Sequence, residues 1–367
     1  MTNAQKESAP FLLYPKDKRF SEAVRQFQGC PTIAVTKKGR VFLGWYSGGT
    51  REPHIDNYNL LICSNDGGNS WSFPCLVIES SREKCIHALD IQLWLSPKGE
   101  LHVYWVQNSV TVTTDGVRPP LPETLPWVSV EGYDFGDFEH SMWMSVCKDP
   151  DADVLEFSEP RRVDKGFLRC KPLVLQNGEL LAFNYDQLSD KYGYSISTDV
   201  GYTYLHRYGA EKIPTRFDEA MAYQRLDGSI RMLARSLSGY LAESISYDNG
   251  KSFEPASVSD IPDPSSRFFI SRTPSGRVLL VYHDSSVKRT NLTVALSEDD
   301  GASWKYKRTI DSRVDISYPD ADFYDGKIFL TYDRERTGAK EILFLTFTEE
   351  DIIDKTRSIE PRVVSKP

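Results

Sequence analysis

An eight-residue pattern, Ser-x-Asp-x-Gly-x-(Ser/Thr)-aromatic, occurs four times in the chain, at 64–71, 197–204, 246–253 and 297–304. The last three copies begin 49 and 51 residues apart. A fixed period of that length means that one supersecondary unit is repeated. Each octet reads as a tight turn. The Asp carboxylate accepts backbone N–H groups, the Gly takes a positive φ, and the terminal aromatic plugs a neighbouring sheet.

A second repeat supports the same count. Six times an apolar run meets a Gly-containing turn and then another apolar run, the pattern of a β-hairpin. The turns centre on Gly39, Gly99, Gly178, Gly228, Gly276 and Gly326, and the last four are spaced 50, 48 and 50 residues apart. The 79-residue step from Gly99 to Gly178 is too long, and an irregular Pro-, Gly- and Thr-rich stretch over about 108–140 takes up the excess. Degenerate octets fall where the period demands, near 149–157 and 346–354. Six hairpins and six octet positions predict an all-β chain: a six-bladed β-propeller with four-stranded antiparallel blades, one domain over 1–367. The insertion is expected as a loop over the pocket face, with Trp127 and Trp143 to dock it. The segment 11–14 is expected to close the ring as an outer strand of the last blade.

Chain direction decides where chemistry can sit. The turn after the first strand of each blade and the octet after its third lie on one face. The opposite face, the mouth of the central tunnel, therefore gathers the starts of first strands, the ends of second strands and the loops between second and third strands. Those positions hold Arg51, Glu52, His54, Asp56, His87, Asp90, Arg169, Lys171, Glu219, Arg235, Arg267, His283, Arg289 and Tyr318. Several arginines facing Tyr and Glu at one mouth point to an anionic ligand.

Charge and composition remove other classes of partner. A net charge of −8 argues against nucleic acid and anionic membrane surfaces. No window of about 18 apolar residues indicates a membrane span. The N-terminus has no apolar signal region, so a cytoplasmic location is expected, with the six cysteines as free thiols. His54, His87 and His283 lack metal-ligand spacing, and neither a metal nor another cofactor is expected.

With these residues in place the sequence resembles the sialidase (neuraminidase) superfamily of bacterial neuraminidase repeat propellers, over nearly the whole chain. The octets look like that family's Asp-boxes. The resemblance implies an exo-glycoside hydrolase that removes a terminal acidic sugar from a carbohydrate with retention. It carries over Tyr318, in Tyr318-Pro319-Asp320, as nucleophile, Glu219 as its partner base, and Arg235 and Arg289 as carboxylate-binding arginines. A neutral tyrosine suits a sugar whose anomeric carbon bears a carboxylate, because an anionic nucleophile would be repelled. Asp56 is the expected general acid and Glu52 the alternative. The family's opening Arg-Ile-Pro is here Gln28-Gly29-Cys30-Pro31, without the first arginine. Arg51, Lys171 and Arg267 are the candidates to replace it, with His283 and Asp90 as further substrate contacts. Two other readings stay open: a glycosidase or lyase for another acidic or deoxy sugar, and a non-catalytic glycan-binding propeller.

Overall fold

The computed structural model describes residues 6–109, 111–112, 133–134, 140–187 and 189–367. It is a six-bladed β-propeller of four-stranded antiparallel blades. The innermost strands of blades 1, 2, 4, 5 and 6 are Phe27–Val35, Ile86–Leu95, Ala220–Gln224, Phe269–Arg272 and Ile316–Tyr324. Blade 3 begins with two short pieces, Phe167–Leu168 and Leu173–Val174, on either side of the Lys171-Pro172 step, where proline has no N–H to donate to a ladder. Within each blade the strands run outward in chain order. Both faces of a blade are covered by its neighbours, so the strands are buried along nearly continuous apolar runs rather than on alternate residues. Val41–Gly48 and Leu292–Ser297 show this.

The four octets bolt adjacent blades together. In the first, Asp66 accepts Ser70 N at 2.9 Å and Ser64 Oγ accepts Gly68 N at 2.8 Å. The same bonds recur around Asp199, Asp248 and Asp299. The aromatic of three octets then reaches the preceding blade: Trp71 packs edge-on against Phe344 of blade 6, Tyr204 against Tyr104 of blade 2, and Phe253 against Tyr194 of blade 3. The two degenerate positions solve the turn differently. One is a loop closed by Ala152 N donating to Asp149 O, and the other is a short helix, Glu349–Asp354, with a Thr348/Asp351 capping box.

Gly301, in the octet of blade 5, has φ of +82°, and a Cβ there would lie 2.0 Å from Tyr223 Oη on blade 4. Gly301→Ala is therefore expected to cost about 2–4 kcal/mol, as backbone strain and overpacking add. Gly276→Ala, where φ is +93° with open space around it, pays the strain alone. Denaturant midpoints of the two variants check the difference.

Ring closure differs from expectation. Phe11–Leu13 pairs with Leu76–Glu79 and becomes a fifth, outer strand of blade 1, not of blade 6. The reason lies in its side chains: Phe11 packs against Trp105 and Phe157 in the seam between blades 1 and 2, and Ala9 N donates to Gln107 of blade 2. Blade 6 supplies its own outer strand, Arg362–Ser365. The first and last blades are joined by carboxylates instead. Asp320 accepts Ile33 N at 2.9 Å, Asp322 accepts Val35 N at 2.8 Å and Asp333 accepts Cys30 N at 2.8 Å, so N–H groups along the inner edge strand of blade 1 are satisfied.

Of the insertion, a two-residue ladder between Thr111–Val112 and Tyr133–Asp134 is described, while Trp127 and the proline run lie outside the described residues. Trp143 belongs to the third strand of blade 2 and stacks on Trp105. All six cysteines are free, and no helix among the described residues is long and apolar enough to cross a membrane.

Candidate functional site

Three inner strands reach the mouth in the same way. The ladder slips between Gly29 and Thr32 in blade 1, between Leu89 and Gln92 in blade 2, and between Ser317 and Asp320 in blade 6. Within each slip a non-glycine residue takes positive φ: Cys30 at 57°, Asp90 at 55° and Tyr318 at 52°. Such a conformation costs about 1–3 kcal/mol and persists where the surroundings over-determine it. Here each bulge re-aims one side chain toward a common centre.

That centre is Tyr318, which is only 4% exposed. Its hydroxyl donates to Glu219 Oε1 at 2.7 Å, and Arg235 Nη1 donates to Glu219 Oε2 at 3.0 Å and to the Tyr318 hydroxyl at 3.3 Å. Arg169 Nη1 stands 3.5 Å from Glu219 Oε1, and its other arm meets Asp90 Oδ2 at 2.8 Å. Burial alone would raise the Glu219 carboxyl, but Arg235 and Arg169 outweigh it and bring it down to about 2. Burial pushes the Tyr318 phenol up to about 12, with Glu219 adding to the rise and the arginines opposing it. The resting pair is thus a neutral phenol hydrogen-bonded to a carboxylate.

The guanidinium carbons of Arg336, Arg267, Arg289 and Arg169 lie 4.2, 4.8, 5.7 and 5.8 Å from the centre of the Tyr318 ring. They are not equivalent. Arg267 is committed to the carbonyls of Arg169, Pro31 and Tyr318, and so ties three inner strands together. Arg289 donates to Ser317 Oγ and the Ser265 carbonyl, and makes no ion pair with a carboxylate among the described residues. Arg336 contacts Glu52 at 3.0 Å and Asp333 at 3.1 Å. A cavity of about 450 Å³ opens beside Arg289, Arg336 and Ser317.

Arg336 went unnoticed in the sequence. It belongs to the turn after the second strand of blade 6, and its carbonyl accepts Gln28 N. A Cβ at residue 29 would lie 2.7 Å from Arg336 Cδ and Nε. Gly29 is therefore what admits this guanidinium to the space beside Cys30. The available signal was the coincidence of a glycine and a missing arginine at 28–30 with a surplus arginine in the run 333–336.

The other expected residues fall in different places. Asp90 joins the cluster through Arg169. Glu52 enters it through Arg336, and its carboxylate oxygens also lie 3.8 and 3.9 Å from Cys30 Sγ. Asp56, expected at the centre, is not brought there: its side chain is 60% exposed and bonds Arg82 Nη2 at 3.0 Å on the outer side of its loop. The loop turns back between Gly49 and Asp56, which aims the tip at the tunnel and the flank at the rim. Lys171, a candidate for the missing arginine, is instead paired with Asp320, and it lines a cavity of about 340 Å³ at the other end of the tunnel. Arg51 is half-buried in the same loop as Glu52. Cys30, Glu52 and Asp90 are the described trio whose ligand atoms lie within 4.8 Å of one another. Both of its carboxylates already face guanidiniums, whose charge opposes a cation there.

His283 lies behind the site, buried, with Nε2 2.9 Å from the Ile316 carbonyl. Burial lowers its pKa to about 4 from an ordinary 6.5, so stability from its neutral form is complete above about pH 6.5 and is lost as pH falls toward 4. That span is worth roughly 3 kcal/mol. In His283→Asn the stability deficit relative to wild type should shrink by about that amount between roughly pH 7 and pH 4 in denaturant titrations.

Comparison with known proteins bears on the fold. The chain belongs to the BNR repeat-like domain family, whose model matches residues 39–329, and its propeller is similar in fold to those of solved sialidases. Among solved structures, the NanB sialidase of Streptococcus pneumoniae aligns with a TM-score of 0.67 at 16% identity, over 94% of this chain and 71% of that one. The intramolecular trans-sialidase of Ruminococcus gnavus aligns with a TM-score of 0.67 at 14% identity, over 94% and 98%. A Dyadobacter fermentans protein of unknown function aligns at 0.63 and 16%, over 90% and 95%. At these identities the likeness is one of fold. A search of curated proteins finds no match.

Proposed function

We propose that the protein hydrolyses the glycosidic bond of a terminal, sialic acid-like sugar with retention of configuration. The observation that carries this reading is the 2.7 Å bond from a neutral Tyr318 hydroxyl to a Glu219 carboxylate held ionised by two arginines. As Tyr318 Oη attacks the anomeric carbon, its proton passes to Glu219. The bond to the leaving oxygen breaks and that oxygen takes a proton from Glu52. A water then gives its proton to Glu52 and attacks the glycosyl-tyrosine, and the departing phenolate recovers its proton from Glu219. One water is consumed and both residues return to their starting states.

Arg235, Arg289 and Arg336 form the carboxylate clamp in this scheme. Arg289, lacking an acidic partner among the described residues, needs an anion. The bound carboxylate displaces Glu52 from Arg336, and Glu52, a carboxylate while paired there, takes up one proton from solvent on that exchange and so faces the leaving oxygen as the acid.

Hydrolysis of a fluorogenic aryl α-sialoside tests the reading. Release of the fluorophore supports it. The changed origin of the third arginine favours a second reading, the same chemistry on another acidic sugar, and cleavage of aryl glycosides of other carboxylated sugars but not the sialoside would select it. Inertness of folded protein toward all of them would overturn both.

A further inference from the structure

The chain crosses from blade 4 to blade 5 between the outer strand Ser257–Pro262 and the inner strand Phe269–Arg272. Within that crossing Ser265 takes a φ of +58°. Pro264 before it is locked by its ring at about −65°. A positive φ in the next residue gives the pattern of a type II turn, whose third position ordinarily holds Gly or Asn. A serine there is strained, and the turn is held from both ends. Asp263 N donates to the Gly239 carbonyl at 3.0 Å, and Ser266 N donates to Asp263 Oδ1 at 3.0 Å. Arg267 follows at once and fastens the chain to three carbonyls of the inner strands.

Both oxygens of Ser265 are spent on arginines around Tyr318. Its Oγ accepts Arg235 Nε at 3.1 Å, and its carbonyl accepts Arg289 Nη2 at 3.0 Å. Glu219 and Tyr318 hold Arg235 through Nη1 alone, so the bond at Nε is what fixes the plane of that guanidinium. Arg289 is held in the same manner, by Ser317 Oγ at Nη1 and by Ser265 at Nη2.

We propose that Ser265 is a positioning residue, whose strained turn sets the tilt and spacing of Arg235 and Arg289 before a carboxylate arrives. The proposal rests on the carboxylate clamp described above. Two planar forks grip one carboxylate only when their planes and separation match it. An arginine ordered in advance also gives up no rotamer freedom on binding. Glycine would make the same turn without strain, yet it would offer nothing to Arg235 Nε. The strain at residue 265 is thus stored where a hydroxyl is needed.

Two substitutions separate the hydroxyl from the turn. Ser265→Gly removes Oγ and relieves the backbone, whereas Ser265→Ala removes Oγ and keeps the strain. Both are expected to raise KM for a fluorogenic aryl α-sialoside about tenfold, with kcat within about threefold of wild type, because an ordered clamp serves bound substrate and transition state alike. The denaturant midpoint of Ser265→Gly should nevertheless exceed that of Ser265→Ala. A residue that only shapes the turn would show the reverse dependence, with KM following stability. Unchanged KM in both variants, or a raised KM in Ser265→Ala alone, would therefore overturn the proposal. Should folded wild type cleave no acidic glycoside, the hydrolytic reading fails, and crystal structures of wild type and Ser265→Gly decide the positioning alone. An Arg235 guanidinium that shifts or takes several positions in Ser265→Gly supports it. One that stays in the wild-type position contradicts it.

Discussion

Tyr318→Phe is expected to reduce hydrolysis by at least about a thousandfold, because removal of one member of a nucleophile–base unit costs nearly as much as removal of all of them. The protein should remain folded. The ring keeps its place among Arg336, Arg267, Arg289 and Arg169, and Glu219 keeps both Arg235 and Arg169 as partners. What disappears is the hydrogen bond to the Glu219 carboxylate together with the longer one accepted from Arg235, a loss of about 1.5–3 kcal/mol in stability. Ligand affinity should survive, since the clamp is intact. A non-catalytic binder would show no difference in turnover between wild type and variant, so activity and affinity measured on the same preparation separate the two.

Arg336→Lys is expected to raise KM for the acidic substrate about a hundredfold with a smaller change in kcat. The guanidinium reaches Glu52 and Asp333 with separate nitrogens and lies 4.2 Å from the Tyr318 ring centre. A lysine keeps the charge but presents one point donor rather than a planar fork, so it cannot hold Asp333 and a ligand carboxylate together. A hundredfold corresponds to about 2.7 kcal/mol, in the range for truncating one partner of a buried charge pair. Arg334→Lys is the control. Arg334 pairs with Glu335 and Glu341, and its kinetics should match wild type.

The octets and hairpins made the propeller legible because each repeat carries its own turn chemistry: a Ser, an Asp and a Gly that serve one local purpose wherever the chain repeats. Strand order sends Tyr318, Glu219, Arg235 and Arg289 to one mouth along with many other positions, and the resemblance to sialidases singled these four out. What could not be read was set by loops and by contacts between distant blades. The choice between Glu52 and Asp56 depends on how the loop 48–57 turns, which local sequence does not dictate. Arg336 acts across the seam between the last and first blades, some 300 residues from Gly29, and only the assembled ring shows that a missing side chain at one position makes room for another. Phe11 joined blade 1 because two aromatics wait in the seam of blades 1 and 2, again a tertiary choice. Lys171 looked like a mouth residue by position, yet Asp320 holds it lower in the tunnel.

The most direct test of the central claim, that Tyr318 attacks an acidic sugar, is mass spectrometry of the protein treated with a fluorinated sialosyl fluoride, whose good leaving group loads the enzyme while its fluorine slows release. The account predicts a glycosyl adduct on the peptide containing Tyr318, absent from Tyr318→Phe. An adduct on Glu219, Glu52 or another carboxylate, or turnover of the reagent with no adduct at Tyr318, would contradict it.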